Sequence, residues 1–575
     1  MGSGDAGNKK KLVVAGVASV LLVACVVAAT VTMHKTSGGK SSDGGSSSGG
    51  ISTTTKSVKT ICAPTDYKET CEESLSGAKN TSDPKELIKI AFQVTVKNIT
   101  DAISKSSLLN DAAKDPRTSG ALETCKELLE DSIDDLKRSF NKLEDFDLSK
   151  IQEYASDLKV WLSGAITHQQ TCIDAFENTT GDSGEKMKHL LRTAGELSSN
   201  GLAMITQFTD LIQTLEIPGF NRRLLESSAS AVELDDDNYP TFLDAASRRL
   251  LAASPASIKH DIVVAKDGSG KFKTINDALK SIPPKNNRTV VIFIKAGVYK
   301  EYVLVPRKMN KVVFLGEGPT KTRITGNKNY VDGTGTYKTA TVAIQGDNFI
   351  ARDIGFENTA GPEKHQAVAL RVSADMAVFH NCHMDGYQDT LYTHSYRQYY
   401  RDCTITGTID FIFGDAAAVL QNCKMVVRKP LENQACMVTA QGRKDHRGVG
   451  GLVLQNCQIL PDPALKAVKP AVQVFLGRPW KEFSRTVIMQ SNIDGFIDPA
   501  GWSPWMGDFG LDTCWYAEYQ NHGAGAKTSG RVNWKGYKKN ISPQVAKQFT
   551  AGVFLQGDDW IKPTGIPYVS GMMKV

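Results

Sequence analysis

The chain has 575 residues and a mass of 62.4 kDa, with 41% hydrophobic and 23% charged residues. That length calls for two or more domains, and the balance excludes a chain disordered or collagen-like throughout. The net charge of +6 hides an asymmetry: residues 252–575 carry about +13 and residues 1–251 about −7, which points to a polyanionic partner or to an acidic half covering a basic one. Nucleic acid, acidic polysaccharide and anionic membrane all satisfy the first alternative.

In chain order, Lys9, Lys10 and Lys11 precede an uncharged apolar run from Leu12 to Met33. The run is long enough to span a bilayer, and its basic flank sets that end in the cytosol. It reads as a signal anchor, with a cleaved signal peptide as the alternative. Residues 1–34 form this segment, and residues 35–57 are a Gly/Ser-rich tether that cannot bury a core.

Residues 58–217 read as helical. Asp83-Pro84 is a helix start, because Asp caps and Pro suits the first helical position. Leu87, Ile90, Ala91 and Val94 follow at helical spacing. Further stripes are Leu122, Cys125, Leu129, Ile133 and Leu136; then Leu158, Trp161, Leu162 and Ile166; then Met187 to Leu197. Short connections predict an antiparallel four-helix bundle. Cys62 with Cys71 and Cys125 with Cys172 would staple it, although four cysteines allow three pairings.

Residues 218–251 form a linker with two copies of Arg-Arg-Leu-Leu, at Arg222-Arg223 and Arg248-Arg249. Paired dibasic sites in an exposed polar segment predict proteolytic processing. From 252 to 575 the texture changes to short β-rich runs such as Val290 to Ile294 and Val312 to Leu315, separated by Gly, Asn and Asp. Asn381-Cys382, Asp402-Cys403, Asn422-Cys423 and Asn456-Cys457 echo one another, the first three cysteines 21 and 20 residues apart. Coils of a parallel β-helix can have that length and stack equivalent positions into ladders. A β-sandwich also gives regular short strands.

Several motifs fail as chemistry. Gly268-Ser269-Gly270-Lys271 lacks the first glycine and the final Ser/Thr of a phosphate loop, with Ala265 and Phe272 in their places. The β-rich half holds no Gly-x-Ser-x-Gly elbow. No His-Glu-x-x-His or Cys-x-x-Cys argues for zinc. The polar chemistry concentrates in Gly386-Tyr387-Gln388-Asp389-Thr390-Leu391-Tyr392 and in Gly407-Thr408-Ile409-Asp410-Phe411-Ile412-Phe413-Gly414. Asp389 and Asp410 are 21 residues apart, so a solenoid sets them on neighbouring coils, facing one side. Two close carboxylates can divide labour as ionised nucleophile and protonated acid. In Phe475-Leu476-Gly477-Arg478-Pro479-Trp480, the Arg can grip a carboxylate with two prongs and the Trp can stack a sugar ring.

Two resemblances carry these observations further. The four N-terminal cysteines, with Trp161-Leu162-Ser163-Gly164-Ala165 and Gln170-Thr171-Cys172, resemble the plant pectin methylesterase inhibitor and invertase inhibitor domain. The two Asp-containing strings, Gly361-Pro362-Glu363-Lys364-His365-Gln366-Ala367-Val368-Ala369-Leu370 and Leu-Gly-Arg-Pro-Trp resemble pectin methylesterases over about residues 259–570. The resemblance implies an all-α bundle followed by a right-handed parallel β-helix that hydrolyses methyl esters of homogalacturonan without metal or cofactor. It implies Asp410 as nucleophile, held at a low pKa by Arg478, and Asp389 as general acid and base. Gln366 and Gln388 would form the oxyanion hole, and Thr336, Gln366, Arg478 and Trp480 the substrate contacts. A Cys403–Cys423 disulfide is also implied. Phe475 and Phe483 stand where the family commonly has Tyr.

The implied route is secretion to the cell wall from a membrane-anchored precursor, with sequons at Asn80, Asn98, Asn178, Asn287 and Asn540. The implied partners are pectin, a processing protease, a proteinaceous inhibitor and, before processing, the membrane. No nucleic acid partner is implied.

Overall fold

The computed structural model describes residues 53–78, 81, 83–112, 115–144, 151–214, 258–283 and 288–573. The predicted anchor, tether and processing linker, and the sequons at Asn80 and Asn287, lie outside the described residues. Among those described, no helix is long and apolar enough to cross a membrane.

Two short helices, α1 (Thr53–Cys62) and α2 (Lys68–Leu75), lead into four long ones: α3 (Pro84–Ala112), α4 (Pro116–Glu144), α5 (Ile151–Asp174) and α6 (Ser183–Thr214). Pro84 and Pro116 open their helices, where a missing N–H costs nothing. Asp115 caps α4 by accepting from the Thr118 N–H at 3.0 Å. The predicted stripes converge: Leu87, Leu122, Leu129, Leu162, Met187 and Leu191 all lie buried in one core. Disulfides Cys62–Cys71 and Cys125–Cys172 close it, the second joining α4 to α5.

Among the described residues, the β-rich half is a parallel β-helix with sheets of eleven, eight and seven strands. Each Asn-Cys echo is a turn between sheets. Asn381, Asp402, Asn422 and Asn456 adopt φ of 48, 54, 60 and 54°, the left-handed region that Asn and Asp tolerate best. Their side chains bond along the ladder, as in Asn456 Nδ2 to Asn422 Oδ1 at 3.1 Å.

The implied Cys403–Cys423 disulfide does not form; both are buried thiols. Equivalent positions in stacked coils send their side chains inward side by side rather than toward each other, and bridging requires convergent Cβ vectors. Each Sγ instead contacts a carbonyl, Cys403 that of Phe379 at 3.5 Å and Cys423 that of Tyr400 at 3.6 Å. Burial pushes both thiols well up.

The helical domain lies on the outer face of the seven-stranded sheet. Register aligns Ala343, Arg371, Tyr392, Phe413 and Ala440 on successive coils, and Tyr392, Phe413 and Ala440 belong to the same apolar core as the bundle. Trp161, assigned by its spacing to the bundle interior, packs against Tyr396 of the β-helix instead, with its Nε1 3.4 Å from Asp375 Oδ2.

The charge asymmetry of the sequence reappears as the polarity of this contact. Acids of the helical domain meet bases of the β-helix in Glu127–Lys338, Asp135–Arg307, Asp157–Arg397 (2.9 Å), Asp174–Lys481 (2.6 Å) and Asp66–Arg447 (2.5 Å). Arg138–Asp347 at 2.6 Å runs the other way.

Candidate active site

Asp389 and Asp410 each occupy the turn that feeds a strand of the seven-stranded sheet, Leu391–Thr393 and Ile412–Gly414. Those strands pair in register, Leu391 with Ile412. The Asp389 N–H donates to the Ile409 carbonyl at 3.0 Å, so the 21-residue spacing is one coil of the helix. Both aspartates have positive φ, 63 and 51°. The turns thereby lift the two carboxyls onto the outer face instead of into the apolar core.

Arg478 follows the strand Val474–Gly477. Its Nε donates to Asp410 Oδ1 at 2.9 Å and its Nη2 to Asp410 Oδ2 at 2.6 Å. This two-pronged grip fixes the orientation of the Asp410 carboxyl. The preceding Gly477 is required by space, since a Cβ there would sit 2.1 Å from Thr439 Oγ1.

A cavity of about 650 Å³ brings Thr336, Gln366, Gln388, Asp389, Asp410, Arg478 and Trp480 together. Every residue nominated for catalysis or substrate contact faces it. Sequence reading missed Trp505, whose ring lies 4.2 Å from the Arg478 guanidinium carbon. It also gave no role to Tyr392 and Phe413, which stack at 4.2 Å beside Trp480 on the cavity wall. The opposite wall belongs to the helical domain, through Arg117, Thr124, Thr171, Asp174 and Glu177.

The two carboxyls differ electrostatically. Burial pushes Asp389 far above the usual carboxylate range; the Asp410 charge adds to this and Arg478 opposes it. Burial raises Asp410 as well, but the Arg478 charge and its hydrogen bonds pull it back. Sequence reading expected a low pKa for Asp410; the desolvation of a fully enclosed carboxyl outweighs its cation. The upward push on Asp389 is the stronger of the two, because the Asp410 charge adds to its burial while the Arg478 grip acts directly on Asp410.

The sequons fall in different settings. Asn178 and Asn540 are exposed, whereas Asn98 is half-buried and donates to the Val94 carbonyl at 2.9 Å.

Comparison with known proteins matches residues 261–558 to the pectinesterase family and residues 56–204 to the plant invertase/pectin methylesterase inhibitor family. A pectinesterase/pectinesterase inhibitor of Arabidopsis thaliana is 51% identical over 98% of this chain and 98% of its own. A pectinesterase of Petunia integrifolia is 55% identical over 68% of this chain and all of its own. The solved pectin methylesterase from carrot aligns with a TM-score of 0.54 at 51% identity, over 55% of this chain and 99% of its own.

Proposed function

Because the chain belongs to the pectinesterase family, is a carboxylic ester hydrolase of pectin and carries an inhibitor-type domain ahead of its β-helix, we propose that it cleaves methyl esters by aspartyl catalysis and is made as a masked proenzyme. The observation that carries the mechanism is the pairing of an Arg-gripped Asp410 with a proton-holding Asp389 one coil away.

Ionised Asp410 attacks the ester carbonyl carbon. The carbonyl π electrons move onto oxygen, and the amides of Gln366 and Gln388 donate to that oxyanion. Such donors are worth about 2.7–4 kcal/mol each. Collapse of the tetrahedral intermediate expels methoxide, which takes the Asp389 proton and leaves as methanol. Asp389, now ionised, takes a proton from water. The hydroxide attacks the acyl-enzyme, releases the new galacturonate carboxyl and restores both aspartates. Trp480, Tyr392 and Phe413 offer apolar faces for sugar rings. Methanol release from highly esterified polygalacturonate, with no unsaturated or new reducing ends, tests this against a lyase or a chain hydrolase.

Arg478→Gln tests the division of labour. Loss of the cation should raise the Asp410 pKa by about 1–3 units. The acid limb of methanol release would then move to higher pH by that amount. An unmoved limb would show that Arg478 does not keep Asp410 ionised.

Masking follows from the cavity wall that α4 and α5 supply, and cleavage at Arg-Arg-Leu-Leu would let the domain leave. The Leu12–Met33 segment and the sequons support delivery to the cell wall through the secretory pathway. Docking should depend on pH through Asp415, which accepts from Thr167 Oγ1 of the helical domain at 2.7 Å and which burial lifts to about 7. Undocking uncovers Asp415 and returns it toward the ordinary value of about 4. The docked state binds the extra proton between these values, so docking weakens as pH rises toward 7.

Asp131 and Asp157 shift the same way, whereas His394, kept neutral by burial, opposes them in acid. In a chain cut at the linker, retention of the helical domain should fall from acid to neutral pH. The fall should be shallower in Asp415→Asn, and equal slopes would remove Asp415 from the account.

A further inference from the structure

Three carboxylates of α4 face the β-helix at helical spacing: Glu127, Asp131 and Asp135. Steps of four residues advance about 6 Å along a helix on one face, so the stripe is a short rod of evenly placed negative charge. Opposite it stand three cations from consecutive coils of the β-helix. Lys338 pairs with Glu127, whose second oxygen accepts from Gln345 at 2.8 Å. Arg307 pairs with Asp135 and reaches Asp131 at 3.8 Å.

Arg371 lies one coil further toward the catalytic pair, on the strand that pairs with Val342–Ile344. It stacks on the Tyr337 ring at 3.5 Å and acts on Glu127 through its charge. It is only 3% exposed, and its Nε has no hydrogen-bond partner. A buried guanidinium whose Nη1 donates to Ser373 Oγ at 2.9 Å but whose Nε has no acceptor, beside two cations already holding carboxylates, marks a surface built for more negative charge than α4 delivers.

The position of this surface says which anion it suits. The strands Val303–Val305, Val342–Ile344 and Leu370–Val372 pair in succession and lead to Leu391–Thr393, the strand that Asp389 feeds. Lys338 lines the catalytic cavity itself. The basic row is therefore a continuation of the cleft onto the coils before the catalytic ones. The reaction turns a neutral ester into a carboxylate at every sugar it processes, so the polymer leaving the site is a rod of regularly spaced anions.

We propose that Lys338, Arg371 and Arg307 form an exosite for de-esterified stretches of the polyuronate chain, and that the α4 stripe occupies it as a carboxylate mimic. This rests on the pectinesterase reading and adds a product-side binding surface to it. The inhibitor domain then competes with the product chain for the same cations, in addition to covering the catalytic pair.

The β-helix stands alone in the carrot structure, 99% of which is matched by 55% of this chain, so fragment 258–575 is a fair test object. The measurement is its affinity for unesterified oligogalacturonate. Substituting Arg307→Gln, Lys338→Gln and Arg371→Gln together should weaken it about tenfold. A control triple, Lys300→Gln, Lys424→Gln and Lys547→Gln, removes the same charge from exposed positions elsewhere and should change it little. Equal losses, or none in the first triple, would overturn the exosite. Should the triple fail to fold, Lys338→Gln alone serves; its side chain is 43% exposed even when docked, and it should weaken binding about twofold. Methanol release by the unmodified fragment tests the esterase reading separately, so a silent fragment and an indifferent exosite are different failures.

Discussion

Asp410→Asn is expected to lower methanol release by about three to six powers of ten, the range seen when a covalent nucleophile is removed. The amide keeps the shape of the carboxyl and one acceptor for Arg478 but cannot attack an ester carbonyl. The fold should hold. Asn tolerates left-handed backbone nearly as well as Asp, so φ of 51° adds no strain. Arg478 loses its carboxylate partner, but its side chain is 22% exposed, so water can solvate the freed guanidinium. Asp389→Asn should lose less, about two to four powers of ten, because it removes proton transfer and leaves the nucleophile and oxyanion donors in place. Comparable activity in Asp410→Asn and the parent, at an unchanged melting temperature, would dismiss Asp410 as nucleophile.

What the sequence made legible here was what repeats or clusters. The 21-residue interval between Asp389 and Asp410 is the coil period because each coil must return to the same sheet, and the Asn-Cys echo marks the turn that makes it return. Helical stripes identified the bundle for the same reason of periodicity. Charge asymmetry between the halves pointed to a polyanionic partner or to one half covering the other, and net charge alone does not choose between them.

The misses share a cause as well. Trp161 sits at a core-like spacing, yet a helix that docks on a second domain has two apolar faces, and spacing cannot assign a residue to one of them. Trp505 reaches Arg478 from a loop beyond the following coil, a contact with no local pattern. The thiols of Cys403 and Cys423 are adjacent, as expected, but adjacency in a ladder is parallel, not convergent. The rise in the Asp410 pKa depends on how completely it is enclosed, which is a property of the assembled cleft rather than of any local pattern.

The docking contact has one residue on which most of its charge converges, and the largest regulatory effect should come from it. Asp135 of α4 is fully buried. It accepts from Arg307, from the Tyr396 hydroxyl at 2.6 Å and from Arg138 at 3.3 Å, with His168 Nδ1 at 3.3 Å. The Arg307 and Arg138 guanidinium groups hold its carboxyl well below the usual range in spite of burial. Removing one partner of a buried ionic network leaves the others desolvated and uncompensated, at about 3–5 kcal/mol.

Asp135→Asn should therefore weaken docking by about two to nearly four powers of ten. The uncut full-length chain should then release methanol at a rate approaching that of a chain cut between its domains. Tyr396→Phe acts on the same node from the β-helix side and leaves the bundle untouched. Loss of its charge-assisted bond should shift docking in the same direction by about 1.5–3 kcal/mol. Detachment can be followed by protease sensitivity of the linker-cut chain. If both variants detach the helical domain and methanol release stays at the parent level, the domain does not mask the site, and its inhibitor-like fold serves something other than the catalytic cleft it lies against.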